Sequence, residues 1–146
     1  MHSSQSNEVI DCVVIGAGPA GLSAARELKR QGRSVVVLDK GRGPGGRLSS
    51  RRTGETRFDH GCKELTFRQP EDAPELRDWI DADVVVAWRP TLKDGSATHT
   101  RYVGTPAMND VIKHLATDLE VRFNCRVVEL RERRGNWEII QQQGRV

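Results

Sequence analysis

Six residues, Gly16-Ala17-Gly18-Pro19-Ala20-Gly21, narrow the folding choices of this chain more than any others. They follow Val9 to Ile15, VIDCVVI, an apolar run rich in β-branched residues that suits a strand covered on both faces, as in a parallel sheet. After them Leu22, Ala25 and Leu28 recur at helical spacing, Lys29 and Arg30 fall at the negative end of the helix dipole, and Gly32 can close the helix in a left-handed cap. Ser34 to Leu38, SVVVL, supplies a second strand, so the opening predicts one βαβ unit with a right-handed crossover. Each glycine then has a task. Gly16 permits the tight turn, Gly18 lets a diphosphate come close to the backbone, and Gly21 lets helix and strand pack closely. The helix start, with Pro19 and Ala20, offers free N–H groups and partial positive charge to phosphate without needing a lysine. Asp39, at the end of the second strand, can accept hydrogen bonds from ribose hydroxyls.

Further along, Gly41 to Gly54 is dense in Gly, Arg and Ser, which predicts irregular backbone. Thr56–Asp59, Val84–Trp88 and Arg101–Val103 read as short strands, and Leu76, Trp79 and Ile80 after Pro74 as a helix. Thr105 is suited to cap a third helix with Pro106 as its first residue, and Met108, Val111, Ile112, Leu115 and Leu119 form its apolar stripe. Glu120–Phe123, Arg126–Arg131 and Trp137–Gln141 read as strands, the last two joined in a hairpin through Arg134, Gly135 and Asn136. Trp79, Trp88 and Trp137 have the spacing of structural residues, and Cys12 and His114 read as packing residues.

The length, 146 residues, is enough for one domain with a real core. A net charge of +3 favours anionic partners without demanding nucleic acid, which is not expected as a partner. Cys12, Cys62 and Cys125 lack the paired spacing of a zinc site or a redox disulfide, so the expected metal set is none. His60 and Cys62 share a strand face after Asp59, yet nothing nearby completes a ligand set. Residues 1–8 are polar and read as a disordered tail. With neither a signal peptide nor a membrane-length apolar run, a cytoplasmic location away from the membrane is expected.

Gly45-Gly46-Arg47 completes, with Asp39, the pattern D-x5-G-G-R, which resembles the second signature of the amine-oxidase-like FAD family. There this segment runs along the cofactor's diphosphate toward the flavin, and Arg47 would offer its guanidinium fork to phosphate oxygens. Gly41 and Gly46 are also spaced like a P-loop, but Arg47-Leu48 stands where an NTPase needs Lys-Ser/Thr. Phe58-Asp59-His60-Gly61, Arg101 to Asn109 (RYVGTPAMN) and Asn136-Trp137-Glu138 resemble the corresponding stretches of renalase-type oxidoreductases.

That resemblance implies an α/β, Rossmann-like FAD/NAD(P)-binding domain with a parallel sheet and the beginning of a substrate domain, shorter than the whole enzymes. Residues 9–60 would form the FAD-binding βαβ unit and G-G-R segment, 61–104 the start of a substrate-domain insertion, and 105–146 a return to the FAD-binding domain. It implies FAD as cofactor and oxidation of dihydronicotinamide isomers of NAD(P)H to NAD(P)+ with release of hydrogen peroxide. A flavin amine oxidase and a non-catalytic FAD-binding fragment are the alternatives. The partner would be an NAD(P)H-related or amine small molecule, and a second polypeptide would complete the fold. Cofactor contacts would come from Gly16, Gly18, Pro19, Ala20 and Gly21, from Asp39 and Lys40, from Gly46, Arg47 and Leu48, from Lys63 and Glu64, and from Val127 through its backbone toward adenine. Cys62-Lys63-Glu64 departs from the family's Ala-Gln-Tyr, and Lys63 could stabilise a reduced anionic flavin electrostatically. The resemblance fixes no catalytic residue.

Overall fold

The computed structural model describes residues 9–69, 73–96 and 99–142; the tail expected over 1–8 lies outside them. Strand β1 (Cys12–Ile15), helix α1 (Pro19–Arg30) and strand β2 (Val35–Leu38) form the anticipated βαβ unit. β1 and β2 run parallel, Cys12 opposite Val35 and Ile15 opposite Leu38. β2 is also parallel to β7 (Glu120–Arg122), giving the order β1-β2-β7. The architecture is thus α/β with a parallel, Rossmann-like sheet. Burial follows position in that sheet: Val36, Val37 and Leu38 of the central strand are buried, whereas Ile15 is 52% exposed. The expectation of a first strand covered on both faces fails because β1 borders this sheet, and its pairing begins at Cys12, not Val9.

Helix α1 closes as its sequence predicts. Gly32 takes φ +79°, its N–H donates to the Lys29 carbonyl, and the Arg33 N–H reaches back to that of Leu28, the paired bonds of a Schellman cap. The buried face of α1, Leu22 and Ala25, shares a core with Ala17, Val37, Leu48 and with Met108, Ile112 and Leu115 of α3 (Met108–Ala116).

The irregular backbone expected up to Gly54 is partly wrong. Ser50–Thr53 is strand β3, paired antiparallel with β4 (Thr56–Asp59) around Gly54 at φ +61°. Helix α2 (Pro74–Asp81) and the antiparallel pair β5 (Val85–Trp88) and β6 (Arg101–Gly104) build, together with Val111 of α3, a second core around Leu76, Val85 and Tyr102. Phe67 packs edge-on against Tyr102 at 5.6 Å.

The start of α3 also differs from expectation. Its N-cap is Ala107, and Thr105-Pro106 is a cis peptide ahead of the helix. Long-range side chains replace the expected local cap: Asp59 Oδ1 accepts the Met108 N–H at 3.1 Å, and Ser50 Oγ accepts that of Asn109 at 3.2 Å. Ser50 Oγ in turn donates to Asp59 Oδ1, so β3 and β4 together cap the helix.

Strands β8 (Val127–Arg133) and β9 (Asn136–Gln141) form the expected hairpin, with Arg134 and Gly135 at positive φ. Trp79 is half-buried against both cores, but Trp88 is 45% and Trp137 66% exposed, so these two are not core residues. No helix among the described residues is long and apolar enough to cross a membrane.

Candidate functional site

The glycine loop sits at the carboxyl ends of β1 and β2, where open α/β sheets place their ligands. The Gly16 N–H donates to the Leu38 carbonyl at 2.8 Å, continuing the β1–β2 ladder into the loop, and Gly16 then turns at φ +107°. A Cβ on Gly21 would lie 2.0 Å from the Gly16 carbonyl oxygen, so only glycine allows α1 to start so close to the strand it leaves. Gly18 is the N-cap and Pro19 the first residue of α1. No side chain caps this helix and its first turn has no acidic residue, so its donors and positive partial charge remain available.

The G-G-R segment lies directly over this loop. Gly46 and Leu48 bound a 3-10 turn (Gly46–Leu48), and the Gly45 N–H donates to the Ala17 carbonyl at 3.0 Å. A Cβ on Gly46 would stand 3.2 Å from Gly18 Cα, and one on Gly18 would stand 3.8 Å from Gly46 Cα. Two backbones without side chains therefore face each other beside the open helix end. Leu48 is buried and anchors the turn in the core, while the side chain of Arg47 is exposed beside it. Lys40 and Arg42 are exposed on the preceding stretch.

Asp39 braces the loop from below. Its Oδ2 accepts the Ala17 N–H and its Oδ1 the Gly41 N–H, each at 2.6 Å. The carboxylate assigned to ribose from sequence is thus already tied to backbone, and each oxygen keeps lone-pair capacity for a further donor. The Asp39 carbonyl accepts the Cys125 N–H, and the Gly41 carbonyl that of Asn124, both at 2.8 Å. These bonds bring the β7–β8 connection alongside Asp39, and half-buried Val127 follows at the start of β8.

On the other side, the Cys62 N–H donates to the Arg47 carbonyl at 2.7 Å, and a Cβ on Gly61 would come within 2.1 Å of that oxygen. The segment after Gly61 is therefore packed on the G-G-R turn. Lys63 is exposed, whereas Glu64 is held by Arg101, whose Nη1 reaches its two oxygens at 2.7 and 2.8 Å. Sequence reasoning missed this pair and the role of Gly61; the only sequence signal was a glycine directly after Phe58-Asp59-His60. Cys62 Sγ donates to the Glu64 carbonyl, and the three cysteines are free thiols.

Residues 14–82 match the family model of the NAD(P)-binding Rossmann-like domain. The chain is 32% identical, over 146 aligned residues, to the flavin-containing monooxygenase FMO GS-OX4 of Arabidopsis thaliana, an alignment covering 86% of this chain and 29% of that protein. It is 57% identical over 49 residues to the lysine-specific histone demethylase 1 homolog 3 of the same plant, covering 32% of this chain and 3% of that one. Among solved structures it superposes on OTEMO in complex with FAD and NADP with a TM-score of 0.59 at 22% identity, covering 94% of this chain and 24% of that one. The chain thus spans under a third of the length of each of these proteins. The match in shape establishes a shared fold.

Proposed function

We propose that this chain, a Rossmann-like dinucleotide-binding unit, holds the ADP half of FAD and belongs to a flavin-dependent oxidoreductase acting on dihydronicotinamide isomers of NAD(P)H. The observation that carries the reading is the facing of Gly18 and Gly46 at the uncapped start of α1, a cradle that any Cβ would narrow. A diphosphate fits there by chemistry as well as by shape. Free N–H groups at the helix start meet its oxygens, and exposed Arg47 supplies a guanidinium beside them. Asp39 holds Ala17 and Gly41 in place and retains acceptor capacity for a ribose hydroxyl. Val127 would meet adenine through its backbone.

Bound FAD supplies the hydride acceptor; the residues described here bind and orient it. In this reading residues 9–60 and 105–142 form the cofactor half, and residues 61–104 lead toward the substrate. Lys63, exposed next to the segment packed on Arg47, would place positive charge on the flavin side. The choice of dihydronicotinamide as substrate rests on the likeness of Phe58–Gly61, Arg101–Asn109 and Asn136–Glu138 to renalase-type enzymes. The substrate is a small molecule, and a second polypeptide would be the partner that covers the flavin side.

The test is direct. Cofactor released from purified protein by heat and identified by mass should be FAD, and addition of dihydronicotinamide isomers should bleach the flavin and yield hydrogen peroxide in air. NAD(P) alone, or no dinucleotide even after reconstitution with FAD, would reject the cofactor assignment. Bound FAD without bleaching would reject the substrate and leave a cofactor-holding unit.

A further inference from the structure

One face of the β5–β6 sheet is left open. The Leu65 N–H donates to the Tyr102 carbonyl at 2.7 Å and the Tyr102 N–H to the Leu65 carbonyl at 2.9 Å, so the chain around Leu65 runs antiparallel to β6 on the side away from β5. Leu65, Tyr102 and Val85 turn to the second core. The alternate residues therefore share the other face, with Val86 opposite Val103, Trp88 opposite Arg101, and Glu64 reached by Arg101 from the next row. Val86 and Trp88 are each 45% exposed there.

This face pairs a flat apolar surface with a hydrogen-bonding border. Trp88 supplies an aromatic plane, Val86 and Val103 extend it, and the Glu64–Arg101 pair stands beside it. Both charged side chains are about a third accessible, so a ligand on the face can reach them. Their mutual bonds use one guanidinium nitrogen, whereas a guanidinium has further donors and each carboxylate oxygen a further lone pair. An acceptor and a donor side by side are the complement of a primary carboxamide, which presents its NH2 and its carbonyl side by side. Nicotinamide joins that group to a flat ring. A carboxylate in its place would meet Glu64 as a like charge, and an ammonium would meet Arg101 as one.

The face also begins at the proposed cofactor site. Glu64 lies two residues beyond Cys62, whose N–H is bonded to the Arg47 carbonyl of the G-G-R turn. We propose, building on the dihydronicotinamide reading, that this face receives the nicotinamide ring of the substrate. The ring stacks on Trp88 beside Val86 and Val103, its carboxamide NH2 donates to Glu64, and its carbonyl accepts from Arg101. Glu64 and Arg101 thereby favour a nicotinamide over an amine.

The indole N–H resonances of Trp79, Trp88 and Trp137, assigned by single substitution to Phe, are followed in the full chain after incubation with FAD. Nicotinamide, nicotinate and benzylamine are titrated in turn, and flavin content is measured separately. Nicotinamide should shift the Trp88 signal saturably and leave that of Trp137, the more exposed indole, in place. Nicotinate and benzylamine should each bind at least about fivefold more weakly. Glu64→Gln should remove the preference over nicotinate, because the like charge is gone, and Trp88→Leu should weaken nicotinamide about fivefold or more. No saturation at Trp88 up to roughly 50 mM, equal shifts at Trp88 and Trp137, or nicotinate or benzylamine binding as tightly as nicotinamide would each overturn the proposal. A chain that takes up no FAD yet shows the selective Trp88 response would lose the cofactor reading and keep this site. A flavin-loaded chain without that response would lose this site alone.

Discussion

The carboxylate of Asp39 accepts the backbone N–H of Ala17 at 2.6 Å, so the residue that ends the second strand holds the loop that ends the first. Asp39→Ala strands two backbone donors, those of Ala17 and Gly41, near the mouth of the site. We expect a loss of about 1–3 kcal/mol in urea unfolding together with weaker FAD retention. Asp39→Asn keeps one acceptor and should fall between. If Asp39→Ala lowers flavin content with no change in stability, the bracing role is wrong.

Gly18 and Gly21 separate ligand space from folding space. Gly18 has φ −90° and ψ 178°, which alanine adopts freely, and its added Cβ meets Gly46 Cα at an ordinary 3.8 Å. Gly18→Ala should therefore unfold within about 0.5 kcal/mol of wild type yet lose most of its flavin absorbance, because the methyl group enters the diphosphate's space. Gly21→Ala places carbon 2.0 Å from a carbonyl oxygen and should cost roughly 3 kcal/mol or more, seen as a large fall in melting temperature.

Asp59 caps α3 from another part of the chain. Asp59→Ala should remove about 1 kcal/mol and speed amide hydrogen exchange in the first turn of Met108–Ala116 more than in α1. Uniform acceleration across both helices would argue against a local capping role.

The partly exposed Glu64–Arg101 pair should matter less. Its side chains are 30% and 34% accessible, and Glu64→Gln should cost no more than about 1 kcal/mol, shrinking in high salt.

Acid should act on the end of α1. Arg30, and then Gln31, donate to the Glu27 carboxylate and lower its pKa from 4.5 to about 2. Because the folded value lies below the unfolded one, the associated stability is present above 4.5 and is lost as pH falls through about 2. The difference in melting temperature between wild type and Glu27→Gln should accordingly narrow across that window. Glu27 is on the surface, so added salt should reduce the difference as well.

The βαβ unit was legible because every local signal agreed: a β-branched run, three glycines with separate steric tasks, an apolar helical stripe and Gly32 after it. Strand β3 was not, since Ser50-Arg51-Arg52-Thr53 carries no apolar alternation and is held by pairing with β4. At α3 the local cue misled. Thr105-Pro106 has the look of a helix start, but Asp59 and Ser50, distant in sequence, satisfy the donors two residues further on. The half-exposed state of β1 was equally hidden, because burial depends on how many neighbours a strand acquires and not on its own composition. At the site, the glycines and Asp39 could be read from spacing; the packing of Gly61 on Arg47 and the Arg101 grip on Glu64 arise only when remote segments meet.

The parallel partnership of residues 36–38 with 120–122 sets the tempo at which the molecule assembles. Hairpins β3–β4 and β8–β9 can zip from their own turns within microseconds, but the central strand must wait for a partner supplied much later along the chain. Closing so wide a loop loses chain entropy before any contact repays it, so the joining of β2 to β7 is expected to follow the closure of either hairpin.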